Sequence, residues 1–231
     1  GERIAGDTPR AETDPLPFPH VPGYQKVGVV QEAGPDSGFR PGQRVFVTVS
    51  AVEGMFYGHG GHVSPAVAHK SQVYALPDAV SDDAAAGLVL TQVGTNCGTR
   101  APVAPEDRAV VLGDGMVGHW AAQTLAARGA DVLLVGRHDH RLRRFARGRT
   151  LRADGDPSAA VRTTLDGPVK ILVDTVGSIP SVLGLLPALA HDSHIVSAGF
   201  YGHDGRIDIQ RLRDREITLH CPSGWSRSRM E

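Results

Sequence analysis

Brief apolar runs broken by proline and glycine fill the N-terminal part of the chain. From Arg108 onward they give way to longer apolar runs that alternate with helical patterns. Val27-Gly-Val-Val-Gln-Glu-Ala33, Arg44-Val-Phe-Val-Thr-Val49 and Gln72-Val-Tyr-Ala-Leu76 predict the short strands of a small barrel-like domain. Residues 1–17 are polar and proline-bearing and predict a loop. Ser81 to about Thr99 predicts a helix, with Ser81 as N-cap and Asp82 and Asp83 in its first turn. Strands are predicted near 108–112, 131–135, 169–174, 194–199 and 216–220. With helical patterns between them, they predict a doubly wound parallel α/β sheet. The expected division is 1–98 and 99–231; Gly155-Asp-Pro-Ser is a loop signal, and there is no internal repeat.

The most specific pattern is Gly113-Asp114-Gly115-Met116-Val117-Gly118, set between the apolar run Arg108-Ala-Val-Val-Leu112 and a helical stretch ending at Gly129. Strand, glycine-rich turn and helix together form a dinucleotide-binding fingerprint. The first glycine permits the turn, the second lets backbone approach a pyrophosphate, and the third packs helix on strand. The helix start then offers free N–H groups to the phosphates. The next apolar run, Ala130-Asp-Val-Leu-Leu-Val135, ends in Gly136-Arg137-His138, where an NAD site usually carries an acid for the ribose hydroxyls. Glycine makes room there, and Arg137 offers a forked cationic donor, with Arg141 and Arg144 further along. This favours a 2′-phosphate and hence NADP. The alternative is a solvated basic helix start, with Asp139 taking the ribose. His138 and His140 flank the same place, as phosphate contacts or as exposed helix-start residues. The arginines of 141–149 otherwise read as a solvated helix face.

Composition narrows the class. A formal net charge of −1 gives no electrostatic case for nucleic acid, and no apolar stretch or leader pattern points to a membrane. Cys97 and Cys221 make neither a disulfide framework nor a zinc spacing, which implies a reducing, cytoplasmic setting.

Five further stretches stand out, in this order: Phe18-Pro-His-Val-Pro-Gly-Tyr24-Gln25-Lys-Val-Gly28 through Gly34, Phe39-Arg-Pro-Gly-Gln-Arg44-Val, Gly60-Gly61-His62-Val63-Ser64 with Val73-Tyr-Ala-Leu-Pro77, Val103-Ala-Pro105-Glu-Asp107-Arg108, and Asp174-Thr-Val-Gly177. Taken together and in order, they resemble the medium-chain dehydrogenase/reductase superfamily. The resemblance implies a GroES-like β-barrel catalytic domain followed by a Rossmann doubly wound parallel sheet, with a substrate cleft between them. It also implies that Val176, Gly199 and Phe200 line the cofactor, and that His62 sits in a strand. Zinc-dependent members carry a His-Glu pair after the Pro-Gly. Here Tyr24 and Gln25 stand there, no Cys, His or acid lies near Val89-Leu90, and residues 50–61 lack a cysteine cluster. A phenol and an amide are poor zinc ligands, so no metal is expected. Cys97 is expected to be a buried helix residue.

Without zinc, Tyr24 is a candidate proton or hydrogen-bond donor to the substrate oxygen, or an aromatic lining the cleft. Gln25 would orient it, bind substrate or hold backbone. Tyr201 would gate or bind substrate, or be a plain loop aromatic. His59 and His62 read as structural, and His119 and Trp120 as packing or phosphate-adjacent. The expected function is an NADP(H)-dependent, zinc-independent oxidoreductase acting on a carbonyl or secondary alcohol of a small organic substrate. Tyr24 after Pro22-Gly23 is similar to the bacteriochlorophyllide-dehydrogenase-like branch, which oxidises a secondary alcohol. The rival readings are an enoyl or quinone reductase of the same superfamily and a non-catalytic nucleotide-binding subunit. Family members are longer than this chain, so a fragment, or a chain whose open barrel edges pair with a second copy in a homodimer, is expected.

Overall fold

A computed structural model of the chain describes residues 19–201 and 206–230. The loop expected over residues 1–17 lies outside that range. The chain divides into two compact units, Gly1–Val89 and Leu90–Glu231.

In the first unit, strands β1 (Lys26–Val29), β2 (Arg44–Val47) and β5 (Val73–Ala75) form an antiparallel sheet in the order β1-β2-β5. Between them β3 (Ser50–Ala51) pairs with β4 (His59–Gly60). Val45, Val47 and Val73 make the small core of this unit, with Val30, Phe39 and Ala68 against it. The helix expected from 81 to 99 is two helices. Helix α1 (Asp82–Ala85) starts as the sequence implies, with the Ser81 hydroxyl accepting from Ala84 N. Arg44 anchors it by reaching the Val80 carbonyl and the Asp82 carboxylate. Helix α2 (Leu88–Gly98) follows after a break at Ala86-Gly87.

Most of α2 belongs to the second unit, so the division falls at Val89/Leu90 instead of 98/99. The reason is packing. Gly94 lies against Trp120 and the Val117 carbonyl, and Gly98 lies against Thr124 and the Ala121 carbonyl. A side chain at either place would force the two helices apart.

The second unit holds a parallel sheet built from β6 (Arg108–Leu112), β7 (Asp131–Gly136), β8 (Arg149–Arg152), β9 (Val169–Asp174), β10 (Leu189–Ser197) and β11 (Thr218–His220). Their order is β11-β10-β9-β6-β7-β8, the doubly wound arrangement whose order reverses between β6 and β9. Side chains alternate between the two faces of each strand. Ala109, Val111, Val132, Leu134, Ile171 and Val173 meet one set of helices, and Val110, Leu112, Leu133, Val135 and Leu172 meet the other. Helix α3 (Met116–Ala127) covers the first face through Ala121, Ala122 and Leu125. Full burial of a leucine such as Leu125 stabilises by about 1.5–3 kcal/mol. On the other face, Val161 of α5 (Ser158–Thr164) and Val182 and Leu185 of α6 (Ile179–Leu185) are buried.

Strand β8 has no counterpart in the sequence expectations. The basic run does not continue as a helix, because α4 (Asp139–Leu142) is short and Leu142 and Phe145 turn inward to the core. Arg149 then opens β8 with its guanidinium on Asp131, and Arg152 closes it on Asp139 and Asp154. The remaining helices are α7 (Ile209–Arg213) and α8 (Arg227–Met230).

Candidate cofactor site

The turn between β6 and α3 sits where the strand order reverses, at the carboxyl ends of β6 and β9. Open α/β sheets bind ligands there. Gly113 adopts φ +110°, which only glycine takes without strain, and packs on Thr175 and Val176. Thr175 fixes this corner, its hydroxyl donating 2.7 Å to the Leu112 carbonyl. A Cβ on Gly118 would overlap the Gly113 carbonyl oxygen. Gly115 differs: it caps α3 with no side-chain hydrogen bond, and nothing lies within 4 Å of where its Cβ would be. The N-terminus of a three-turn helix therefore opens beside bare backbone, a surface that fits a pyrophosphate.

A second cluster lies at the end of β7. The Asp114 carboxylate, 8% exposed, accepts from Arg137 N at 3.0 Å and His138 N at 2.7 Å. The His138 ring adds Nδ1 at 3.0 Å, and Arg141 stands 3.8 Å off. Burial alone would raise the Asp114 pKa, but these hydrogen bonds and the facing imidazole hold it below the usual carboxylate range. Gly136 is glycine for a reason that sequence reading missed. A Cβ there would lie 2.6 Å from Cγ and Oδ2 of Asp114 and closer still to its Cβ. The space read as room for a phosphate is in part filled by Asp114. Asp139, the alternative ribose partner, is held by Arg152 at 2.9 Å. Arg137 is exposed, and its guanidinium makes no ion pair with the described residues.

Gly199 and Gly177 approach so closely that a Cβ on Gly199 would run into Gly177 N. This brings Val176, 57% exposed, and Phe200, 92% exposed, to the same sheet end as Gly113. Asp174 organises the corner. Its buried carboxylate accepts from the N–H groups of Val176, Gly177 and Ser178 and, at 2.7 Å, from the Tyr201 hydroxyl. Burial, followed by the Asp174 charge, pushes the Tyr201 phenol up and makes it a weaker acid. The D-x-x-G pattern was the only sequence signal for Asp174. Neither it nor Thr175 stood among the candidate residues.

His119 in the first turn of α3 packs edge-on to Phe145, and burial lowers its pKa. Cys97 is buried in α2, its thiol pushed up to about 11 by desolvation.

In the first unit, Gly23 at φ +86° turns the chain into Tyr24 and Gln25. The Pro22 carbonyl accepts from Gly61 N and His62 N, and the His62 ring packs on Gly23. His62 lies just past β4, not in it, because its N–H is spent on Pro22. The Gln25 Oε1 accepts from Val89 N at 3.3 Å. Among the described residues no group of three or more His, Cys, Asp or Glu is placed to hold a metal ion, and no helix is long and apolar enough to cross a membrane.

Residues 4–78 match the alcohol dehydrogenase GroES-like domain model. The chain is 31% identical over 217 residues to 2-desacetyl-2-hydroxyethyl bacteriochlorophyllide A dehydrogenase of Cereibacter sphaeroides, covering 90% of this chain and 64% of that protein. It is 25% identical to NADP-dependent alcohol dehydrogenase C 1 of Mycolicibacterium smegmatis, covering 85% of this chain and 65% of that one. It thus spans just under two thirds of the length of these curated relatives. Among solved structures, an alcohol dehydrogenase superfamily protein from Novosphingobium aromaticivorans superposes with a TM-score of 0.66 at 25% identity, over 88% of this chain and 61% of that one. With a GroES-like domain ahead of a doubly wound parallel sheet, the chain is similar in sequence and fold to members of the medium-chain dehydrogenase/reductase superfamily.

Proposed function

We propose that the protein transfers hydride to or from the carbonyl or secondary alcohol of a small organic substrate, with NADP(H) as carrier and without zinc. The observation that carries the cofactor choice is the end of β7. Gly136 offers no acid, Asp114 spends its carboxylate on Arg137 N and His138, and Asp139 is paired with Arg152. What is left to meet the ribose is the exposed, cationic Arg137. The naming of the Mycolicibacterium relative as NADP-dependent supports the same choice.

Bound, the nicotinamide would supply or accept the hydride. Backbone N–H groups at Gly115 and the start of α3 would hold the pyrophosphate, and Val176, Gly199 and Phe200 would line the dinucleotide at the ends of β9 and β10. Arg137, with His138 and Arg141 beside it, would hold the 2′-phosphate. Tyr24 is assigned as the donor to the substrate oxygen, because it is a phenol in the position where zinc-dependent members place a ligand. Gln25, already held by Val89 N, positions the turn that bears it. Tyr201, bonded to Asp174, is assigned to shaping the pocket. The donors at 24 and 25, a phenol and an amide, are the ground for doing without zinc.

The test is oxidation of NADPH over a panel of ketones, enones and quinones, with elemental analysis of the same preparation. Turnover of ketones with well under one zinc per chain is expected. Turnover of enones or quinones alone would favour the reductase reading, and binding without turnover a non-catalytic subunit. Arg137→Ala should weaken NADPH about tenfold and leave NADH nearly unchanged. Equal loss of both would remove the phosphate role.

A further inference from the structure

We infer that Asp114 is a positioning residue for cofactor choice, turning His138 into a second, pH-dependent cation of the 2′-phosphate subsite beside Arg137. The inference rests on the NADP reading above and adds to it a residue and a regulation.

The argument begins with the carboxylate. Asp114 comes from the glycine-rich turn, not from the end of β7 where an acid would bind ribose hydroxyls. Its Oδ2 takes both N–H groups of the Arg137-His138 peptides, so it fixes the backbone that carries them. It also meets His138 Nδ1 from both oxygens, at 3.0 and 3.2 Å. An ionised carboxylate only accepts, so Nδ1 must carry the proton. With Nδ1 taken by Asp114 and 40% of the His138 side chain exposed, Nε2 is the ring nitrogen left for a ligand. Neutral, it is an acceptor and repels a phosphate. Protonated, it is a charge-assisted donor, and the imidazolium then lies between two anions, the carboxylate and the incoming phosphate.

The other charged groups around the ring set the balance. His140 stacks edge-on to His138 at 5.8 Å, and Arg141 stands 3.8 Å from the Asp114 carboxylate. His119, at the start of α3, feels Asp114, Arg141 and Arg144, and burial lowers its pKa. Arg137 leads the same loop. Asp114 is therefore the only anion bonded to His138 among the described residues, and its removal leaves the ring among cations. Crowding by Asp114 also forbids a side chain at 136, so the device excludes the acid an NAD site would use.

The experiment measures dissociation constants for NADPH and NADH by fluorescence or calorimetry, at about pH 6 and about pH 8, in the wild type and three variants. The 2′-phosphate itself takes a proton near about pH 6, so variants are compared at one pH, where that effect cancels. His138→Gln should weaken NADPH about tenfold at the lower pH and under about twofold at the higher, with NADH within about twofold throughout. Asp114→Asn keeps an acceptor for the backbone but removes the counter-charge, and should show the same pH-selective loss. A bare structural role would weaken both cofactors at both pH values, which would overturn the inference. So would an unchanged pH profile in His138→Gln, which decides the matter even if Asp114→Asn does not fold. Arg137→Ala separates the two readings. Equal loss of NADPH and NADH there sinks the 2′-phosphate site itself, whereas a selective loss with no effect of His138→Gln sinks only the role of Asp114 and His138.

Discussion

Adding a single methyl group at Gly136 should destabilise the second unit measurably, in the absence of any cofactor. The backbone there lies outside the left-handed range, so the effect is purely one of space. The new Cβ would lie 2.6 Å from Asp114 Cγ and Oδ2, well inside van der Waals contact. Asp114 cannot simply swing away, because Arg137 N and His138 N hold it at 3.0 and 2.7 Å. Overpacking costs about 1–3 kcal/mol, and each displaced bond to a charged acceptor adds about 1.5–3 kcal/mol. With one of the two bonds displaced, a net loss of about 2.5–6 kcal/mol is expected for Gly136→Ala. For a domain of this size that lowers the thermal midpoint by about 5–24 °C.

Gly136→Asp tests the charge as well. It would install the acid of an NAD site, yet place a second carboxylate about 4 Å from the first, a repulsion of about 4 kcal/mol at an effective dielectric constant of about 20. The single variant should therefore lose stability without gaining NADH affinity. Pairing it with Asp114→Gly removes the repulsion and the clash but also the acceptor of Arg137 N and His138 N, and should recover only part of the loss. Differential scanning fluorimetry and circular dichroism on the cofactor-free protein provide the readout. A midpoint within about 1 °C of wild type for Gly136→Ala would show that Asp114 does not fill this space, and would refute the reasoning.

Tyr24→Phe should lower turnover about 10²–10⁴-fold with NADPH binding intact; a loss under about threefold would make Tyr24 a lining aromatic and move the weight to the enoyl-reductase reading. Tyr201→Phe removes the 2.7 Å bond to buried Asp174 and should cost about 1.5–3 kcal/mol, read as a thermal shift of about 3–12 °C; no shift would place the hydroxyl elsewhere. His194 Nδ1 and His220 Nε2 share a hydrogen bond at 3.2 Å on neighbouring strands, and burial lowers both pKa values. Their stabilisation is present above the unfolded value of about 6.5 and lost as pH falls, so the midpoint should drop on acidification and His194→Gln should blunt the drop. An identical acid slope in the variant would count against this.

The strands of the second unit were legible because each central one is buried on both faces and so reads as an unbroken apolar run: Val110 to Leu112, Val132 to Val135, Ile171 to Val173. Strand β8 was not. At the sheet edge it offers one apolar residue, Leu151, among Arg149, Thr150 and Arg152. What makes it a strand is β7 beside it and the carboxylates of Asp131, Asp139 and Asp154, all supplied from elsewhere. The break between α1 and α2 was hidden for a similar reason. An alanine run favours continuous helix locally, whereas Gln25, distant in sequence, accepts the Val89 N–H near the start of α2, and Gly94 and Gly98 dock α2 on α3.

At the candidate site, charge counted along the chain misjudges the surroundings of the residues it singles out. Gly136 was read as space, yet its neighbour across the turn is a carboxylate. Asp139 is the ribose partner of the alternative reading, yet it belongs to Arg152. Five arginines from 141 to 149 looked like one basic face, yet Arg149 is committed to Asp131 and Arg141 leans on Asp114. A charge acts on a ligand only to the extent that no partner in the fold has already taken it. By that measure the end of β7 presents less positive charge than its sequence suggests. Arg137 is its exposed cation without a described ion pair, and any further attraction for a phosphate must come from a group whose charge the protein can adjust.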